Sequence, residues 1–142
     1  MSYERVHMVW DIYDGVRSGL ADFGDGPHYF CCEHDSSSSD GYSDVFGLWP
    51  IDQQFLVLAQ EQWSLYKAWE YRHHSGEVSV ATHPGHRGQI PRYDEVQDYR
   101  DRFLGALGVS SFRAIPTFRA RADQQELPPG CLREIEVEWT VA

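Results

Sequence analysis

The chain has a single lysine, Lys67, and no stretch of basic residues. A phosphate backbone attracts proteins through clustered Lys and Arg, so a chain whose arginines are scattered singly is a poor candidate for nucleic acid. Long hydrophobic runs are missing too. A membrane-spanning helix needs roughly 20 predominantly apolar residues, and nothing here approaches that. The start, Met1-Ser2-Tyr3-Glu4-Arg5, runs into a strand pattern and has no apolar signal core, so a cytoplasmic location is expected. The cysteines number three, an odd count without regular spacing, which excludes a disulfide framework. Two of them, Cys31 and Cys32, are adjacent on a strand and must point to opposite faces.

Motifs that announce a chemistry are equally scarce. No Gly-x-Ser-x-Gly elbow, Walker loop or dinucleotide fingerprint occurs; Gly24-Asp25-Gly26 is too short and leads into a strand. Asp11, Asp14, Asp22 and Asp25 crowd the first hairpins, but Asp14 and Asp25 occupy turn positions where Asp is favoured anyway. Of the seven histidines, His34 forms a loose pair with Cys32, and His83 with His86. Zinc sites need tight pairs at recognised spacing, so neither a metal nor another cofactor is expected. His73 and His74 close a helix, where the dipole favours a cation.

What the chain does have is aromatic residues (14%), acid (22 Asp and Glu against 12 Lys and Arg, net charge −10) and well-placed turns. With 142 residues and 42% hydrophobic content it can bury one real core, and a single α+β domain over 1–142 is expected. Period-two alternation marks strands at 6–13, 16–23, 28–34 and 43–48. Asp14-Gly15 supplies the first tight turn. Its register would set Trp10 across from Gly19, unless Gly19 marks a bulge. Asp52 is a natural N-cap for a long helix to about Arg72, with Ile51 and Leu56 closing a hydrophobic staple. Pro91 opens a second helix reaching about Leu107. A hairpin of alternating charge follows, pairing roughly 112–122 with 131–141 around Leu127-Pro128-Pro129-Gly130, with Arg119 set opposite Glu134. The fold class is thus α+β: a mainly antiparallel sheet, made of an N-terminal four-strand meander plus a C-terminal hairpin, packed against two helices.

The helix stripes carry the candidate site. Phe55, Ala59, Gln62, Tyr66 and Trp69 share one face of the first helix, widened by Leu58, Trp63 and Leu65. Gln62 sits within that stripe and Glu70 near its edge, while Arg100 sits inside the apolar stripe of the second helix. Buried polar groups must be paired, and a buried charge above all. Arg100 therefore either pairs with Glu70 or joins Gln62, Trp63, Tyr66 and Glu70 in lining a ligand pocket between helices and sheet. No catalytic residue stands out. The composition favours a small acidic binding or protein-interaction module, taking a protein partner or a small anionic ligand. The alternative is a small hydrolase-type enzyme using Asp, Glu and His with Arg100.

Overall fold

A computed structural model describes residues 2–12, 14–121 and 134–142. Six strands and two helices follow in chain order: β1 (Glu4–Ile12), β2 (Val16–Phe23), β3 (Gly26–His34), β4 (Tyr42–Pro50), α1 (Gln53–His74), α2 (Pro91–Gly105), β5 (Phe112–Ala120) and β6 (Ile135–Val141). A single 3-10 turn, Val80–Thr82, lies between the helices. The chain forms two compact units. The first holds all six strands and the start of α1, to Leu56; the second holds Val57–Gly108.

The sheet is a closed antiparallel barrel in the order β1-β2-β3-β4-β5-β6. This corrects the expected open sheet packed against two helices. The meander and the hairpin are joined at both edges. β4 pairs with β5 through Phe46↔Ala114, Gly47↔Arg113 and Leu48↔Phe112, and β1 pairs with β6 through Glu4↔Val137 and Arg5↔Glu136. Closure satisfies backbone groups that an open sheet leaves bare at its edges. The curvature comes from bulges. The β1–β2 register shifts three times between Val6 and Ile12, and the β3–β4 register shifts between Cys32 and His34.

One of those bulges moves Trp10. Val9, not Trp10, lies opposite Gly19, and the next pair is Asp11↔Ser18. The extra residue of that bulge is Trp10, on β1; Gly19 lies on the facing strand beside it, where a Cβ would run into the Met8 carbonyl and the Phe30 ring. The final hairpin is also offset, with Arg119 facing Glu136 and donating to it from Nε at 2.5 Å. The turn at 127–130 lies outside the described residues. At the first turn Asp14 (φ 52°) and Gly15 (φ 111°) take the left-handed backbone expected of them, but Ile12 pairs with Val16, so three residues separate the strands where two were expected.

Side chains fill the barrel. Phe30 is fully buried, with ring centroids 6.0 Å from Phe46, 5.8 Å from Phe118 and 5.8 Å from Trp139. Ala21 and Ala114, also fully buried, leave room for these large rings. Six strands enclose less space than the eight that just admit a small ligand, so any partner meets the ends or the outside. The outer face of β1–β3 is apolar as well. Leu20 and Met8 are buried there, Trp10 packs 5.5 Å from Tyr29 and 6.3 Å from Phe55, and Tyr29 lies 5.3 Å from Trp49. Phe55 is held in place by the helix cap, its N–H donating to Asp52 Oδ1 at 2.8 Å.

In the helical unit, Arg92 of α2 reaches Glu61 of α1 with two hydrogen bonds, Nε to Oε1 at 3.0 Å and Nη2 to Oε2 at 2.8 Å. No helix among the described residues is long and apolar enough to cross a membrane.

Candidate functional site

The five residues singled out on the helix stripes all fall in the helical unit. Gln62 is buried, and its amide donates to the Tyr93 carbonyl (3.2 Å) and to Gln97 Oε1 (3.0 Å), tying α1 to α2. Trp63 and Tyr66 stack with centroids 5.8 Å apart. Glu70 is buried, with Lys67 Nζ 3.7 Å from its carboxylate. Arg100 lies on α2, and its charge acts on Tyr93, whose phenol is pushed up chiefly by burial. Gln62 therefore has a structural use, and Trp63 and Tyr66 begin an aromatic column along α1.

That column continues into a histidine cluster. Trp69 packs 6.1 Å from Tyr66, stacks on His73 at 4.8 Å and meets His83 edge-on at 4.6 Å. The indole N–H donates to Thr82 Oγ1 at 2.7 Å, pinning the 3-10 turn to the helix. His83 Nδ1 accepts the Gly85 N–H at 2.9 Å, so its single proton sits on Nε2 when the ring is neutral. Burial, together with the nearby His86 and His73, pushes the His83 pKa below the usual imidazole value. No three of His, Cys, Asp and Glu converge in metal-binding geometry among the described residues.

The barrel unit presents a cleft at the end carrying the β1–β2 turn. Its volume is about 250 Å³. Phe46 and Phe118 form the floor, continuous with the barrel core, and Val16, Ile115 and Pro116 extend the apolar wall. Asp14 and Asp44 stand on the rim, and neither enters an ion pair among the described residues. Arg17, which also lines the cleft, is already engaged. Its guanidinium lies 4.1 Å from the Tyr42 ring centre, donates to the Asp14 carbonyl at 3.2 Å and sits 3.6 Å from Asp40. Its side chain is only 15% exposed. Cys32 lies behind it, and burial raises the thiol's pKa despite the arginine, so a reactive thiolate is disfavoured.

Sequence reasoning placed Asp14 at a turn and did not anticipate the cleft. Its walls come from β2, β4 and β5, and only the β4–β5 pairing brings Phe118 beside Phe46. No local signal carries that pairing.

Among the described residues, one buried hydroxyl and one imidazole are each held by a carboxylate. Ser18 donates to Asp11 Oδ2 at 2.7 Å, while His7 Nε2 lies 2.7 Å from Asp22 Oδ1, so the hydroxyl and the imidazole belong to separate pairs. Nucleophilic catalysis needs both in one hydrogen-bonded chain. No family model matches the sequence, and neither a curated protein nor a solved structure is similar to it.

Proposed function

We propose that this protein is a non-catalytic binding module whose barrel unit docks a basic protein partner. The observation that carries this reading is the uneven division of charge between the two units. The barrel segments 2–56, 109–121 and 134–142 hold thirteen Asp and Glu against five Arg, a net −8 of the chain's −10. Three of those arginines are already in ion pairs, Arg17 with Asp40, Arg113 with Glu33 and Arg119 with Glu136. The helical segment 57–108 is nearly balanced, with seven acids against six bases. Solubility alone has no need to concentrate the charge on one unit, whereas an acidic face steers and orients a basic partner. The same field disfavours a small anionic ligand on the barrel. Cys31 and Cys32 carry free thiols, which supports a reducing, cytoplasmic setting.

The test is a calorimetric titration with three peptides of equal length, bearing four arginines, four glutamines or four glutamates on a serine background. The arginine peptide is expected to bind saturably at one per chain. Its affinity should fall at least about tenfold as salt rises from roughly 0.05 to 0.5 M, as surface charges are screened. Equal binding of the glutamine peptide, or no binding of the arginine peptide, overturns the reading.

A further inference from the structure

We infer that the barrel-end cleft is an anchor pocket for one long basic side chain, arginine above lysine, projecting from the docked partner. This inference rests on the binding-module reading and narrows it to a single place on the barrel.

Size sets the first limit. Pockets for drug-sized ligands run to about 300–1,000 Å³. At about 250 Å³ the cleft is below that range and matches a single extended side chain. Chemistry sets the second. The floor and wall are hydrocarbon and aromatic (Phe46, Phe118, Ile115, Pro116 and Val16), which suits the methylene stem of Arg or Lys. The rim carries the carboxylates of Asp14 and Asp44, outside every observed ion pair among the described residues, which suits the cationic head. An aliphatic side chain would leave both carboxylates without a partner, and an acidic one would be repelled by them.

Arg17 does not spoil this complementarity. Its charge is turned onto Tyr42 and Asp40 and is largely covered. The same chain also shows the pairing preference in miniature: Arg17 over Tyr42 at 4.1 Å and Arg119 over Tyr3 at 3.5 Å. A flat guanidinium stacks on an aromatic face while its edge meets a carboxylate, which an ammonium does less well. Around the cleft the surface is suited to burial by a partner. Ile115 on its wall is 39% exposed, and Ile12, paired with the cleft residue Val16, is 52% exposed. Apolar side chains ringing a charged anchor point exclude water from it on docking.

Capped tripeptides Gly-Xaa-Gly, with Xaa as arginine, lysine, norleucine or glutamate, test the pocket by amide chemical-shift titration of the labelled full chain. The arginine tripeptide is expected to shift Gly15, Val16, Asp44 and Phe118 saturably. Lysine should bind a few-fold more weakly and norleucine about tenfold more weakly. Glutamate should cause no shifts at these residues. The double variant Asp14→Asn with Asp44→Asn should bring arginine down to the norleucine level, and Asn tolerates the left-handed backbone at position 14. Asp25→Asn, a single Asp→Asn change in the β2–β3 turn at the other end of the barrel, should leave arginine binding unchanged, whereas Asp14→Asn or Asp44→Asn alone, with the same change of charge, should weaken it. Norleucine binding as tightly as arginine, glutamate binding at all, or arginine shifts elsewhere that ignore the double variant would each overturn the pocket. If the four-arginine peptide still binds with strong salt dependence in that event, the docking function stands and only its anchor is misplaced. If it also fails, both readings fall together.

Discussion

The carbonyl of Met8 allows only glycine at position 19. A Cβ built there falls inside contact distance of that carbonyl and at 3.0 Å from the Phe30 ring, and both obstacles are fixed, one as backbone and one as a buried core side chain. Gly19→Ala should therefore cost at least about 2–3 kcal/mol, more than the usual range for a surface strand, because neither neighbour can move aside cheaply. Urea unfolding of the variant checks this; a loss below 1 kcal/mol would mean that the bulge relaxes. At this scale the sequence was partly legible. A glycine within a strand pattern does signal a bulge, and Asp52 ahead of an apolar period does signal a cap, because each effect acts within four residues. The places of Trp10 and Arg119 were not legible. A bulge slips the register at Trp10 by one residue, the regular β5–β6 ladder sets Arg119 two residues from its expected partner, and alternation alone fixes neither offset.

The stretch from Ser79 to His86 is packed on α1: Trp69 donates to Thr82, Trp69 and Tyr66 pack on His83, and Pro84 is fully buried. Burial, His86 and His73 all depress the His83 pKa, so the folded protein binds that proton less readily than the unfolded chain. The stabilisation from neutral His83 is complete above the free imidazole value near 6.5 and is lost as the pH falls through the folded value. Melting temperature should thus drop between about pH 7 and pH 5, with a smaller drop in His83→Gln. An identical slope in the variant would assign the acid sensitivity to other groups.

Between the two helices, Gln62→Ala removes both hydrogen bonds from the buried amide, to the Tyr93 carbonyl and to Gln97 Oε1. It should cost about 1–3 kcal/mol by thermal or urea melt, where an exposed Gln→Ala on the same helix costs a few tenths. The helices themselves were legible to within two residues at their ends, since a period of 3.6 with a cap and a proline start is a local property. Which partner Gln62 would find was not, because Tyr93 lies 31 residues away.

Barrel closure was out of reach of the sequence for the same reason on a larger scale. Inward and outward alternation is identical in an open sheet and in a barrel, and the two facts that close this one are a three-residue pairing of β4 with β5 and a two-residue pairing of β1 with β6. The charge, by contrast, was visible in the composition from the start. Its concentration on the barrel only became visible once the strands at 112–120 and 135–141 were known to join those at 4–50.

The seam between β1 and β6 has a consequence in time. Glu4 pairs with Val137, so β1, made well before β6, waits for it before the cylinder can shut. Until β6 has left the ribosome, β1 keeps one row of backbone groups open, next to Val6 and Met8, which end up almost wholly buried. Such distant pairing slows folding and prolongs the life of an unpaired apolar edge, the species that aggregates. The protein is most exposed to loss during its own synthesis, and lower growth temperature or a chaperone that shields strand edges should raise its soluble yield more than any change to the finished fold.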